Sequence, residues 1–418
     1  MITSFLLAWR ALVRGHVLAL LLAATALAHL LLPALVRGDG TAAGWREMYI
    51  RAVTGATFAV TAATVLVCAC GLFAQERARY RLALAVVRPV SVLSMAAGKW
   101  LALCVVAAAA YVLTAGLTLV RVPSPPDCKH HAAPALPPPA ETAKLMLADY
   151  LADPKTPEAV RKAPKSAVLS LLTNKELDRY DVVAPGRTMA WPFDAALADV
   201  ADVAVRVRFA TQFELRAPFS GSFVLGGKGA SLTNSTQSVL DVPLSAGTPY
   251  SGAPGTLQFT NTGRETVMLR PRRDLEILTP ADAFAANLAR AVLQMLTTTA
   301  LLAAFGLFLS AALSRPVAIF TALVAVLVAM MAPSVVAQFP DGLDVAWADR
   351  MGLAISRTVS LLASAAGEAE PISDLATDTC IEWRALGRCA LMNAAVLPAG
   401  LLALAAVVVR RRPLAANS

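Results

Sequence analysis

The stretch AVTGATFAVTAATVLVCACGLFA, residues 52–74, contains no Asp, Glu, Lys or Arg and is long enough to cross about 30 Å of bilayer hydrocarbon as a helix. Lipid offers no hydrogen-bonding partners to the backbone, so we expect a transmembrane helix here. Five further segments share these properties: 17–36, 100–120, 291–314, 316–338 and 389–409. The sequence therefore predicts an α-helical polytopic membrane protein with six transmembrane helices.

The composition of the whole chain agrees with this prediction. Hydrophobic residues make up 57% and charged residues 16%, with a mean hydropathy of +0.60, which is too apolar for an ordinary soluble protein. The formal net charge of +9 could suggest a nucleic-acid partner, but the basic residues lie beside the apolar segments. We therefore expect membrane lipid as a partner and no nucleic acid.

The basic residues predict the orientation of the chain. Eleven of them, with Glu76 as the one acid, lie before the first span, between spans two and three, between spans four and five, and after span six. They are Arg10, Arg14, Arg77, Arg79, Arg81, Arg88, Lys99, Arg315, Arg410, Arg411 and Arg412. Segments rich in Lys and Arg stay cytoplasmic, so both termini should be cytoplasmic and the segment 121–290 should lie outside.

A large insert separates the third and fourth spans. It divides the chain into a membrane domain at 1–120, a linker and extracytoplasmic α+β domain at 121–285, and a second membrane domain at 286–418. Frequent prolines in 122–142 predict a stiff, extended linker. Helical patterns follow over 141–150 and over 156–179, the second starting with Thr156 as its cap and interrupted at Pro164.

The rest of the insert has the pattern of short strands. Residues 202–210 alternate between apolar and polar side chains, which is typical of a half-buried strand. Residues 256–260 and 266–269 flank the turn-forming Asn261 and Gly263, which predicts a hairpin. Several such strands predict a β-rich, sandwich-like domain.

The loop between the second and third spans, residues 75–99, has a pattern that crossing a membrane does not require. It begins with Gln75-Glu76-Arg77, continues through Leu82, Leu84 and Pro89-Val90-Ser91, and ends with Gly98-Lys99-Trp100. Pro89 disfavours a helical conformation at Arg88, so two short helices are expected, broken at Pro89. Without further evidence, such a basic loop could simply rest on anionic lipid.

The order of these features resembles the cytoplasmic loop of permease subunits of the ABC transporter type 2 family. The stretches 306–318 and 382–386 are similar to other parts of that family, so the resemblance covers roughly the residues outside 121–285. It implies that the loop contacts a separate ATPase subunit, that a second permease copy or a paralogue completes the transporter, and that transport is export. The residues it assigns to this ATPase-coupling loop are Glu76, Arg77, Arg79, Arg81, Arg88, Pro89, Gly98 and Lys99. In this transporter scheme Pro89 and Gly98 are expected to set the bends of the loop.

The sequence predicts no chemistry of its own. It lacks the Gly-rich loop that binds nucleotide phosphates, so we expect no enzyme activity, no catalytic residues and no cofactor. Cys128, His130 and His131 could ligate a metal, but no second cluster stands at zinc-site spacing, so no metal site is predicted. Cys128 and Cys380 both fall outside the spans and could form a disulfide in an oxidising compartment, which only geometry can decide.

Three polar features lie in or near the spans. His29 and Asn393 are expected to form hydrogen bonds at helix contacts rather than to bind substrate. The segment 345–365 is predicted to be an interfacial helix, with a re-entrant segment as the alternative. The spans contain no acids, which disfavours a secondary transporter.

Two functions remain. In the first, the chain is the permease subunit of an ATP-driven ABC transporter in the cytoplasmic (inner) membrane of a bacterium, with a periplasmic domain. In the second, it is a membrane-anchored interaction protein whose extracytoplasmic domain recruits a partner.

Overall fold

The chain forms two compact units in a computed structural model, and each is considered separately below. The structure describes residues 1–35, 42–78, 91–122, 125–163, 165–200, 202–208, 210–211, 219–234, 239–246, 255–338, 351–354, 356–357 and 370–411. The helical unit contains Met1–Cys128, Asp282–Val336 and the chain from Met351 onward, and the β-rich unit is built on Lys129–Ala281.

Helices and strands are numbered in chain order. The helices are α1 (Ile2–Arg14), α2 (Val17–Leu35), α3 (Ala42–Ala78), α4 (Val92–Arg121), α5 (Pro139–Ala152), α6 (Glu158–Arg161), α7 (Lys165–Leu177), α8 (Phe284–Ala312), α9 (Arg315–Gln338), α10 (Pro371–Ala376), α11 (Trp383–Ala390) and α12 (Leu397–Arg411). The strands are β1 (Lys129–Ala132), β2 (Asp181–Val183), β3 (Thr188–Pro192), β4 (Val203–Arg208), β5 (Ala210–Thr211), β6 (Phe219–Leu225), β7 (Lys228–Asn234), β8 (Val239–Ala246), β9 (Thr256–Asn261), β10 (Val267–Leu269) and β11 (Leu275–Pro280).

Six long apolar helices were predicted, and the described residues contain six that could cross a membrane by length and composition. They are α2, α3, α4, α8, α9 and the helix from Trp383 to Arg411, in which a π-helical turn at Leu391–Val396 joins α11 to α12. The prediction of six such helices is confirmed. The strands lie between the third and fourth of them in chain order.

The core of the helical unit forms where α3, α4, α8 and α12 meet, with α1 packed at its edge. A Cβ on Gly306 of α8 would lie 2.7 Å from the Cβ of Ala69 and 3.1 Å from the carbonyl oxygen of Leu66 on α3. The two backbones therefore touch, as small residues allow between apolar helices. Large side chains such as Leu30 on α2 and Phe320 on α9 are exposed instead. Apolar outer faces of this kind are typical of helices that contact lipid.

Buried polar groups link several of these helices. Nδ1 of His29 on α2 lies 2.9 Å from the hydroxyl of Tyr49 on α3, which confirms His29 as a group that forms a hydrogen bond at a helix contact. Asn393 donates to the sulfur of Cys389 one turn earlier in its own helix, at 3.2 Å. The Cys389 sulfur in turn lies 3.6 Å from the hydroxyl of Thr297 on α8.

Within the described part of the β-rich unit, antiparallel strands form two sheets. The larger has eight strands in the order β1-β11-β4-β8-β7-β6-β9-β3, and the smaller has three in the order β2-β10-β5. Val203, Val205 and Val207 of β4 are buried on one face, which confirms the alternation seen in the sequence. Val183 of β2 and Val267 of β10 join the same hydrophobic cluster, so side chains of both sheets share one core.

The predicted hairpin of residues 256–260 and 266–269 is wrong. Strand β9 pairs with β3 and β6, whereas β10 pairs with β2 and β5 in the other sheet. The side-chain amide of Asn261 donates to the carbonyls of Val183 and Glu265, and the N–H of Thr262 donates to the carbonyl of Ser220. The contacts with Val183 and Ser220, in more distant parts of the chain, direct it from one sheet to the other at the residues expected to form the tight turn.

The segment 122–142 is not the extended linker that its prolines predicted. Residues Lys129–Ala132 form β1, which pairs with β11, and α5 begins at Pro139. The prolines flank β1 without interrupting it, so its N–H groups are free to join the sheet. Nδ1 of His131 also lies 2.7 Å from the carboxylate of Glu276 on β11. Residues 129–132 have no strand pattern in the sequence, and they form a strand because they pair with β11.

The predicted helices of the insert are present with shifted boundaries. The pattern over 141–150 corresponds to α5, and that over 156–179 corresponds to α6 and α7, which are separate on either side of Pro164. The cap prediction is wrong by one residue, because Pro157 rather than Thr156 precedes the first helical residue of α6. All of the segment 345–365 except residues 351–354 and 356–357 lies outside the described residues.

Candidate functional site

The candidate site is the loop end of the helical unit, defined as the region where α3 ends at Ala78 and α4 begins at Val92. Of the residues predicted to contact an ATPase, Arg79, Arg81, Arg88 and Pro89 lie outside the described residues, as does the Arg77 side chain. The structure describes the side chains of Glu76 and Lys99 and the position of Gly98.

The loop is shorter than the predicted 75–99, because both of its ends are helical. Helix α3 runs on to Ala78 with no proline or glycine to stop it near Glu76. On the other side, the hydroxyl of Ser91 accepts a hydrogen bond from the N–H of Ser94 at 3.1 Å and caps the start of α4. Glu76 and Lys99 therefore lie on helices that continue the second and third candidate spans.

An ion pair joins the two ends of the motif. The ammonium group of Lys99 donates to the carboxylate of Glu76, and it also lies 4.0 Å from the centroid of the Phe73 ring. The Lys99 side chain is only 3% exposed, whereas that of Glu76 is 34% exposed. A buried ammonium group is stable only with a partner, and here a carboxylate and an aromatic face provide it. The first and last charged residues of the motif thus hold α3 and α4 together.

The role expected for Gly98, as a bend in the loop, is wrong. Gly98 lies inside α4, where a Cβ would come within 2.7 Å of the carbonyl oxygen of Met1 and 2.9 Å of the N–H nitrogen of Phe5. Its missing side chain lets α1 cross α4 at close range. Gly98 is therefore a helix-packing residue, directly beside the buried ion pair.

Helix α1 was not predicted from the sequence. Its buried residues are Ser4, Ala8 and Leu12, while Arg10 and Arg14 are exposed. The spacing of four residues between the buried positions is the signal that could have revealed an amphipathic helix before the first span. The basic residues ahead of that span therefore belong to a helix that packs on α4.

The turn between α8 and α9 contacts the same part of α3. The hydroxyl of Ser310 on α8 accepts hydrogen bonds from the N–H groups of Phe73 and Ala74, each at 3.0 Å. One turn earlier, a Cβ on Gly71 would lie 3.4 Å from Nε of Arg315 at the start of α9. The stretch 306–318 of the family resemblance therefore contacts the turn of α3 that directly precedes the stretch 75–99.

Comparison with family models, with curated proteins and with solved structures finds no match to this chain. The resemblance to type 2 permeases therefore rests on the order of the motifs in the sequence. Several residues of these motifs are in contact in the folded chain. Glu76 contacts Lys99, Gly98 contacts α1, and Ser310 contacts the turn of α3 just before Glu76.

The opposite end of the helical unit, called the insert end, holds a second polar cluster. The guanidinium group of Arg290 on α8 pairs with the carboxylate of Asp282 and lies 4.5 Å from the centroid of the Trp383 ring. The side chain of Asn287 donates to the carbonyl of Thr379 at 2.8 Å and accepts from the N–H of Ile381 at 2.9 Å. These contacts attach the segment between α10 and α11 to α8.

Cys128 and Cys380 lie together at the insert end as free thiols, both buried. Burial, and then the hydrogen bond to Cys380, raise the pKa of the Cys128 thiol to about 12. His130 and His131 are neighbours in β1, so their side chains point to opposite faces of the sheet. Among the described residues, no group of three His, Cys, Asp or Glu side chains is placed to hold a metal ion.

Replacing Gly98 with leucine is expected to detach α1 from α4. The new side chain would overlap the backbone of α1, and such overpacking costs about 1–3 kcal/mol. Trypsin cleavage after Arg10 and Arg14 should then accelerate by about tenfold, since 1.4 kcal/mol corresponds to a factor of ten. The matched control is Gly116→Leu on the same helix, where a Cβ meets nothing within 4 Å. Equal cleavage rates in the two variants would show that Gly98 does not seat α1.

Proposed function

We propose that this chain is the permease subunit of an ATP-driven ABC transporter, an exporter, coupled to a separate ATPase subunit through the loop 75–99. The observation that carries the proposal is the ion pair between Glu76 and Lys99. These residues begin and end the motif on which the family resemblance rests. The pair joins α3 to α4 near the two ends of the loop, so that a movement of the loop would reach both helices together.

The surroundings of this pair favour the transmission of a movement from the loop to the bundle. Lys99 is buried beside Gly98, where α1 crosses α4, and Ser310 ties α8 to the turn of α3 that precedes Glu76. Packed helices move as bodies rather than deforming continuously. A partner that pushes on the loop would therefore displace α3 and α4 together and act on α1 and α8 through these contacts.

The proposal also assigns the remaining surfaces. The loop end with its arginines faces the cytoplasm of a bacterium, the six apolar helices cross the inner membrane, and the β-rich unit lies in the periplasm. The apolar outer faces of α2 and α9 contact lipid or a second permease copy. Hydrolysis of ATP takes place on the partner subunit.

One observation favours the alternative, a membrane-anchored interaction protein. The β-rich unit has a hydrophobic core of its own, built from residues such as Phe223, Phe259 and Ile277. A domain that recruits a partner needs a core of this kind. This function does not require any protein to bind at the loop end. The two functions therefore differ in whether anything binds the loop 75–99.

Purification of the tagged protein from native membranes in mild detergent, followed by identification of the proteins that accompany it, tests the proposal. We expect an ATPase subunit with the wild type and its loss from the variant Arg77→Glu, Arg81→Glu. The matched control, Arg187→Glu with Arg264→Glu, makes the same charge change at two exposed positions of the β-rich unit. If no ATPase accompanies the wild type even after cross-linking, the transporter proposal is wrong. Recovery of periplasmic proteins instead would support the alternative.

A further inference from the structure

Two thiols meet where the chain leaves the helical unit for the insert. Cys128 directly precedes β1, and its N–H donates to the carbonyl of Asp282, where the chain returns from the insert, at 2.8 Å. Arg290 links this place to Cys380, because its guanidinium group pairs with the carboxylate of Asp282 and donates to the sulfur of Cys380 at 3.1 Å. Cys128 and Cys380 are 1% and 8% exposed. They are far apart in the sequence, and only the packing of the segment before α11 brings them together.

Cys380 is held in this place by contacts on both sides. Nη1 of Arg290 donates to the sulfur of Cys380 at 3.1 Å and to the carbonyl of Ile381 at 3.2 Å. Asn287 forms hydrogen bonds with the backbone of both neighbours, Thr379 and Ile381. The backbone around Cys380 is therefore attached to α8, and its sulfur lies beside the Arg290 guanidinium group, which also pairs with Asp282.

We propose that Cys128 and Cys380 form a disulfide in the mature protein. This inference rests on the orientation proposed above, which places the insert end in an oxidising compartment, and it does not depend on ATP-driven transport. The oxidant is the disulfide of a thiol oxidoreductase. One cysteine thiolate attacks that disulfide, giving a mixed disulfide and releasing one oxidant thiolate. The other cysteine then attacks the mixed disulfide, so the Cys128–Cys380 bond forms and the oxidant leaves as a dithiol with the two electrons and two protons.

The timing of this reaction follows from the burial of the pair. The thiolate is the nucleophile in disulfide exchange, and burial raises the pKa of the Cys128 thiol to about 12. The folded, reduced pair therefore holds little thiolate and reacts slowly. The bond forms while the segment before α11 is still exposed during folding. The disulfide then links the residue before β1 to the segment before α11. Because the N–H of Cys128 donates to the carbonyl of Asp282, the point where the chain returns from the insert is held at the same place.

The proposal is tested by counting free thiols. Membranes are solubilised directly in denaturant, and an alkylating reagent then labels each free thiol. Of the six cysteines in the chain, four should react before reduction and all six after it. Cys128→Ser and Cys380→Ser should each leave five cysteines that react equally with and without reductant. The matched control is Cys389→Ser, a nearby buried cysteine, which should still gain two thiols on reduction. Six reactive thiols in the unreduced wild type would overturn the proposal.

Peptide mapping and thermal unfolding give a second readout. The unreduced wild type should yield a cross-linked peptide containing Cys128 and Cys380, and reductant should lower its melting temperature but not that of Cys128→Ser. A cross-link between Cys380 and Cys389 instead would overturn the pairing.

A reporter cysteine distinguishes a wrong disulfide proposal from a wrong membrane orientation. Lys162→Cys, at a side chain that is 75% exposed in the β-rich unit, should be labelled in spheroplasts by a membrane-impermeant maleimide, unlike the wild type. If it is labelled while all six native thiols are free, the disulfide is wrong and the orientation stands. If it is not labelled, the orientation is wrong, and the disulfide proposal fails with it.

Discussion

The variant Glu76→Lys is expected to lose binding of the proposed ATPase partner. Lys99 is 3% exposed, and the substitution replaces its only described carboxylate partner with a second ammonium group. Removing one partner from a buried ion pair costs about 3–5 kcal/mol, because the remaining charge stays buried without compensation. The new lysine can turn toward solvent, because position 76 is 34% exposed. The buried charge of Lys99 is then left without its partner, which destabilises the contact between α3 and α4. The two helices that carry the loop then lose their ion pair near its ends.

Co-purification of the ATPase and ATP hydrolysis by the purified complex are the measurements. The double variant Glu76→Lys, Lys99→Glu re-forms the pair with its charges exchanged and should recover a large part of both. The matched control is Glu47→Lys near the other end of α3, which breaks an exposed pair with Arg51 and should change little. A single Glu76→Lys variant that keeps its full ATPase partner would contradict a coupling role for the pair.

The variant Gly306→Leu is expected to disrupt the helical unit itself. Even a single methyl group at Gly306 would come within 2.7 Å of the Cβ of Ala69, and the carbonyl of Leu66 blocks the space beside it. A leucine therefore forces α3 and α8 apart, at a cost of about 3 kcal/mol or more. Since small residues let apolar helices approach closely, their dispersion contacts are lost along the whole interface.

The measurement is the melting temperature and the monodisperse fraction of the protein in detergent. Both should fall sharply for Gly306→Leu. Gly116→Leu serves as control, because Gly116 is also in an apolar helix but meets no atom within 4 Å, and it should behave like the wild type. If the two variants are equally stable, α3 and α8 do not touch at Gly306.

Sequence alone located the six long apolar helices, because the signal for each is local. A run of about 20 apolar residues without charges has one way to satisfy its backbone in lipid, and that is a helix. The burial of alternate residues in β4 was predicted for a similar reason, since successive side chains of a strand point to opposite faces. These properties need no knowledge of the partner elements.

The contacts at the candidate site could not be predicted in the same way. The motif identified Glu76, Gly98 and Lys99 as a group, but the pairing of Glu76 with Lys99 and the seating of α1 on Gly98 depend on how the helices pack. In the transporter scheme, Gly98 was expected to form a bend in the loop. The helix instead continues through it, and its lack of a side chain serves a neighbouring helix.

The amino-acid sequence by itself determined where this protein has apolar helices, where it has a β-rich insert, and which residues carry charge beside the spans. Tertiary structure alone decided the strand order, the meeting of Cys128 with Cys380, and the burial of Lys99 against Glu76 and Phe73. The physical reason is the range of the interactions. Hydrophobicity and backbone hydrogen bonding act along a short segment, whereas sheet order, buried ion pairs and thiol contacts require groups from distant segments to reach the same place.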